Sequence, residues 1–580
     1  MKSDVLDILP LAPLQEGLLF HALYDGASGD VYVVQLSLEL TGRVDGERLR
    51  AAAQALLARH PHLAARFLTR GSGQPVQVIP RTAEVPWREA DLRGREGDLA
   101  RLAEEERRRG FELSRPPLLR FVLVRLDADR QVLVLTVHHI LVDGWSVPVL
   151  VRELFALYGS AGDSAAGSAA DSAADKGVLA PAVPFRAYLE HLADRDRGAS
   201  EAAWREYLAG AEPCRVAETG GTTGTEATTG TGGTTGGTGG TTGTAGAGAG
   251  TAREQIVREL DPGLSERLRA QARELGVTLG SVVLGAWGVV LGCLAGREDV
   301  VFGTTVSGRP PEIAGVESMA GLFINTVPVR VRLDPGESLG ALLERVQAEQ
   351  AGLLEHQYLG LADIQRLAGT GELFDTTTVI ENYPSDLIGS GNADFRVTGL
   401  DAHGEGQTHY PLTLAILPNQ QPSQNQNQAQ NQGQEPGSGL GLRLGYRPDA
   451  VPGWLAAGIA TRFTRVLAAL ADDPGLRVGE IDLLTERERH RLLREWNTPA
   501  TETGAEASGE TSTETSTEPG CLPEAFEAQA ARSPEAVAVV VSADGTQITY
   551  RELNQRANRI AHSLIARGAG PERVVALALP

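Results

Sequence analysis

The sequence predicts a mixed α/β chain of two lobes with similar build, followed by the beginning of a third α/β domain. Three observations carry this. Strand and helix patterns alternate on both sides of residue 218, as they do where helices cover a sheet. Four low-complexity stretches lack the apolar surface that would offset backbone ordering. From Leu522 a new helix–strand–turn–strand–helix run starts and reaches a strand at 574–580 with its sheet unfinished, so the chain reads as a fragment.

In order, residues 31–40 (VYVVQLSLEL) alternate as a strand, and 42–46 supply a turn. A helix follows with Leu49, Ala52, Ala53, Leu56 and Leu57 on one face. Residues 119–126 and 132–137 read as strands joined by the turn 127–130, and 147–158 as a helix. Past the Gly/Thr tract, 264–275 is an amphipathic helix and 279–294 an apolar helix rich in small residues. Residues 300–306 and 323–333 read as strands. The boundaries expected are a first lobe at 1–177 and a second at 178–490, carrying disordered insertions at 218–251 and 419–438. A linker at 491–520 and a third domain start at 521–580 complete the set.

Composition narrows the function classes. The net charge of −21 disfavours nucleic acid and anionic membrane as partners. Lys2 and Lys176 are the only lysines, which fits arginine-biased coding. No run of about twenty apolar residues suggests a membrane span, and the N-terminus has no secretory apolar core. Cys214, Cys293 and Cys521 are too few and too scattered for a disulfide framework or a metal site, which fits a cytoplasmic location.

The chemistry-bearing stretch is 131–146, QVLVLTVHHILVDGWS. Its first half is apolar on both faces, as in a strand buried on both sides. Adjacent strand residues point to opposite faces, so one of His138 and His139 can pack inward while the other opens to a channel. Asp143 lies four residues beyond His139, and Gly144 permits a sharp turn there. Such a carboxylate could fix the imidazole tautomer or, through an arginine, the loop. A lone histidine beside an Asp–Gly turn is ordinarily a core group. The whole pattern HHxxxDG at a strand end is far more specific.

HHxxxDG resembles the core motif of the condensation domains of nonribosomal peptide synthetases, and the resemblance runs in order from residue 6 to about 490. Residues 9–21 (LPLAPLQEGLLFH), 59–67 (RHPHLAARF), 301–310 (VFGTTVSGRP), 321–330 (GLFINTVPVR), 356–361, 380–384 (IENYP) and 408–414 (THYPLTL) resemble its other signatures. The resemblance implies two chloramphenicol-acetyltransferase-like lobes forming a V-shaped pseudo-dimer, with a tunnel between them. Phosphopantetheine arms of upstream (donor) and downstream (acceptor) peptidyl carrier domains would enter from opposite ends. The reaction implied is amide formation by aminolysis of a thioester. His139 takes the catalytic position, supported by His138, Asp143 and Gly144. Ser307, Asn325 and Trp145 are implied near the tunnel, with turn chemistry and strand-end hydrogen bonding as the competing roles of Ser307 and Asn325, and core packing as that of Trp145. No cofactor or metal bound by the chain itself is expected.

The family places an arginine where this chain has Ala64, to pair with the aspartate. Arg66, two residues on, would share a strand face with it and is the candidate substitute. His60 and His62 are assigned no chemistry, and Trp287 and Cys293 are read as core. The opening signature, HHILVDGW and IENYP resemble the subtype that accepts a donor ending in a D-residue. Residues 548–554 (ITYRELN) resemble the start of an adenylation domain, whose remainder would be a further partner. Its phosphate loop and catalytic lysine would lie beyond Pro580, so no ATP chemistry is expected here. The competing readings are an epimerisation domain, which shares HHxxxDG, and a catalytically silent carrier-recruiting module. A CoA-dependent acyltransferase would carry HxxxD alone, and a heterocyclising variant replaces the histidines with aspartate.

Overall fold

The computed structural model describes residues 4–24, 31–163, 179–219, 253–381, 387–391, 394–403, 408–417, 439–497, 522–540 and 546–570. They fall into two compact units, Met1–Thr485 and Glu486–Pro580.

The first unit is built on two large sheets. One has five strands in the order Phe395–His403, Val33–Gly42, Arg130–His138, Leu119–Arg125, Trp87–Asp91. The other has six, in the order Asn325–Arg332, Asp299–Val306, Thr376–Ile380, Leu412–Leu417, Gly441–Tyr446, Glu254–Glu259. A small three-stranded sheet of Val5–Leu9, Pro75–Pro80 and Arg66–Thr69 completes it.

Local sequence explains the elements. Helix Gly46–Arg59 buries Leu49, Ala52, Ala53, Leu56 and Leu57, the face its periodicity predicts, and Asp45 caps it by accepting the Arg48 N–H. Strand Arg130–His138 is central in its sheet and buried from Gln131 onward, matching its unbroken apolar run. Helix Leu279–Ala295 is buried from Ser281 to Gly292. Its small residues allow close approach: a Cβ on Gly288 would sit 2.7 Å from Val331. Helix Gly453–Asp472 is long and apolar enough to cross a membrane, yet half of it is buried, with Ile459, Phe463, Val466 and Leu470 in the second core.

The two lobes are not separated by a single cut at 177/178. Strand Phe395–His403, from the second half, pairs antiparallel with Val33–Gly42 in the first sheet. Phe395 sits 5.1 Å from the ring of Phe155 and 5.3 Å from that of Tyr158. Phe185, Tyr188, Met319 and Phe323 join the same core. The physical reason is that Val33–Gly42 would otherwise be an unpaired edge. The expected insertions at 218–251 and 419–438 lie almost wholly outside the described residues, as do 498–520 of the expected linker and Asn382–Pro384 of the IENYP signature. Residues 491–497, expected as linker, continue helix Glu486–Leu493 into the short 3-10 helix Glu495–Asn497.

In the second unit, helix Leu522–Arg532 precedes a hairpin of Val537–Val540 and Gln547–Thr549, then helix Tyr550–Ile565. Thr549 and Glu552 close a capping box at the start of that helix.

Candidate active site

The site grows from the end of strand Arg130–His138. His138 is its last residue and pairs with Val33. It is fully buried, edge-on to Phe111, and accepts the Ile140 N–H on Nδ1. His139 extends the ladder by donating its backbone N–H to Tyr32 O at 2.8 Å. Its ring faces the other way and lines a cavity of ≈ 420 Å³. The alternation expected for adjacent strand residues therefore assigns His138 inward and His139 to the cavity.

Both lobes wall this cavity. Tyr32, Val34 and His139 come from the first; Ser307, Thr326 and His409 come from the second. Burial holds the His139 imidazole below its ordinary value, a shift that nearby Asp143 opposes. His139 Nδ1 has no hydrogen-bond partner among the described residues. The ring is thus neutral near pH 7.

Asp143 holds the loop that follows. It is 1% exposed and accepts from Ser146 N (2.9 Å), Ser146 Oγ (2.7 Å) and Phe323 N (3.1 Å). Its ionic partner is Arg309, whose Nη2 lies 3.1 Å from Oδ1. Arg309 also donates to the carbonyls of Val316 and Met319 and lies 4.0 Å over the Phe323 ring. This cluster ties the histidine loop of the first lobe to the 309–323 segment of the second half. Gly308 makes the approach possible: its φ is +57°, and a Cβ there would sit 1.9 Å from Phe323 O.

Several sequence expectations need correction. Arg66 does not replace the missing arginine. Ala64 lies in the 3-10 turn Pro61–Ala64, so the strand arithmetic linking the two positions fails, and Arg66 is exposed at the start of Arg66–Thr69. Asn325 does not line the cavity. It is buried and donates to Gln357 O and Leu359 O, while its neighbours Ile324 and Thr326 take the lining face. Ser307 and Trp145 do line it, as does Gly144 in the turn, and the Trp145 Nε1–H is held by Glu317 O. Trp287 is core as expected, but Cys293 is exposed.

Sequence reasoning missed Arg309, Ser146, Gln15, Tyr32 and His409. Arg309, Gln15 and His409 lie inside the signatures quoted above, so the signal was present without a role attached. Gln15, 2% exposed, donates to Ile140 O and so anchors the histidine loop to the opening signature. His60 and His62 are structural: His60 Nε2 lies 2.5 Å from Glu153, and His62 stacks on Phe185.

Burial lowers His62 and His409 to about 3. In the unfolded chain each would titrate near its ordinary 6.5, so between these values the unfolded state binds more protons. Stability is therefore expected to fall as pH drops from about 6.5 toward 3, by at most about 1.4 kcal/mol per pH unit for each histidine. Urea midpoints at pH 7.5 and 5 check this; an unchanged midpoint contradicts it.

Comparison with known proteins gives the same assignment. Residues 5–493 match the family model of the condensation domain, and 526–580 match that of the AMP-binding enzyme. The chain is 34% identical over 587 residues to a linear gramicidin synthase protein of Brevibacillus parabrevis, covering 98% of the chain and 10% of that protein. It is 30% identical over 584 residues to bacitracin synthase 3 of Bacillus licheniformis, covering 99% of the chain and 8% of that protein. It thus spans a tenth or less of the length of these two relatives. The first condensation domain of the CDA synthetase shares the fold, with TM-score 0.58 and 23% identity over 83% of this chain and 100% of that one. With a histidine motif, a two-lobe cavity and a family match across most of its length, the chain belongs to the condensation domains, the amide-forming acyltransferases of nonribosomal peptide synthesis.

Proposed function

We propose that this chain joins a donor acyl or peptidyl thioester on an upstream carrier domain to the amine of an acceptor aminoacyl thioester on a downstream carrier. The observation that best supports this is the buried imidazole of His139 lining a cavity walled by both lobes. In the reaction the acceptor nitrogen attacks the donor carbonyl, a C–N bond forms and the C–S bond breaks. The nitrogen gives up a proton and the departing thiolate takes one. A neutral His139 can accept that proton, a role typically worth about 10²–10⁴-fold. It can equally orient the amine, because holding two tethered reactants together removes much of the barrier. No nucleophilic serine or cysteine is needed. The phosphopantetheine arms are substrates carried by the partner domains, and the rest of the adenylation domain is a further partner. A cytoplasmic location belongs to this reading.

The donor is proposed to end in a D-residue, on the strength of LPLAPLQEGLLFH, HHILVDGW and IENYP. The test mixes the chain with an acceptor-loaded carrier and a donor carrier bearing either D- or L-aminoacyl groups, with amide detected by mass spectrometry. The expected result is product with a clear D preference. An L preference removes the donor assignment alone, and no amide from either removes the reaction.

A further inference from the structure

His139 is not the only imidazole on the cavity wall. His409, just before strand Leu412–Leu417 of the second sheet, lines the same chamber. Its Nδ1 lies 2.5 Å from Tyr32 Oη. His409 also stacks on His21 of helix Pro13–Tyr24, with ring centroids 3.9 Å apart, and the tilted ring of Tyr410 lies 4.0 Å away. It is held neutral by burial, with His21 and Arg253 adding to the shift. A ring stacked on one neighbour, flanked by another and bonded at one nitrogen has restricted rotational freedom.

Tyr32 is the connecting residue. It immediately precedes strand Val33–Gly42 of the first sheet, and its carbonyl accepts the backbone N–H of His139. Its hydroxyl reaches across the chamber to His409. One residue thus takes the backbone of His139 on one side and a side chain of the other lobe on the other. The Asp143–Arg309 cluster secures the loop after His139, and nothing in that cluster fixes the residue before the ring from the second sheet.

We propose that the Tyr32–His409 hydrogen bond is a positioning latch: it sets the separation of the two lobes at the chamber and, through the Tyr32 carbonyl, the placement of the His139 ring. Tyr32 and His409 act through His139 and are positioning residues. The inference rests on the amide-forming reading above.

The test is a double-mutant cycle on the single-turnover rate of amide formation, with both carriers loaded and unfolding midpoints measured on the same samples. Y32F deletes only the hydroxyl and keeps the ring and the carbonyl. H409A deletes the imidazole partner. Each single variant is expected to lose roughly tenfold in rate with carrier affinity unchanged, and Y32F/H409A to be no slower than the worse single. H409N, whose amide falls where Nδ1 stood, is expected to recover most of the rate at the same stability as H409A. A Y32F chain as fast as wild type, additive losses in the cycle, or H409N as slow as H409A would each overturn the latch. A wild-type chain that forms no amide would overturn the underlying reaction, and the latch with it.

Discussion

Arg309→Ala is expected to lower the free energy of unfolding by about 3–5 kcal/mol, because it leaves Asp143 charged and buried with its ionic partner gone. The two side chains are 6% and 0% exposed, so the pair is largely desolvated and the contact is not screened as a surface pair would be. The same substitution removes the donors to Val316 O and Met319 O, which loosens the segment leading to Gly321 and Phe323. Arg309→Lys should recover only part of the loss, since one ammonium cannot meet Asp143 and both carbonyls in the same fixed geometry. By contrast Arg66→Ala, on an exposed strand end, should stay within about 0.5 kcal/mol of wild type. Denaturant titration of the three variants checks the contrast. Equal losses for Arg309→Ala and Arg66→Ala would return Arg66 to the role the sequence first suggested for it.

His139→Ala is expected to cut amide formation by about 10²–10⁴-fold while leaving the fold intact. The ring lines the cavity, and its Nδ1 holds no protein partner among the described residues, so its removal breaks no internal hydrogen bond at that atom. His138→Ala should behave differently. That ring is fully buried against Phe111 and accepts the Ile140 N–H, so its loss should appear first as reduced stability. Comparing product by mass spectrometry with unfolding midpoints for the two variants separates a site histidine from a packing one. If the two variants exchanged these phenotypes, the facing of the pair would be wrong.

What was legible in the sequence was whatever is written locally. The buried face of helix Gly46–Arg59 follows from a 3.6-residue period, and the centrality of Arg130–His138 from an unbroken apolar run. The histidine motif was found because its residues are contiguous. Long-range partners were not legible in the same way. Arg309 stands 166 residues from Asp143, and no periodicity links them. The departure at Ala64 drew attention to Arg66 through a strand rule that a 3-10 turn invalidates. Asn325 and Thr326 are adjacent, and only the sheet register decides which of them faces the chamber. The crossing of Phe395–His403 into the first sheet left no trace in its own composition, because the partner edge it covers lies more than 350 residues earlier.

The most direct measurement is the single-turnover rate of amide formation against pH, for wild type and for His139→Ala with and without added imidazole. Since burial lowers the pKa of His139, the wild-type rate should hold down through pH 6.5 and fall only below it. The variant should be slow alone and regain rate in proportion to the unprotonated imidazole supplied. A variant as fast as wild type with no imidazole present would contradict the account.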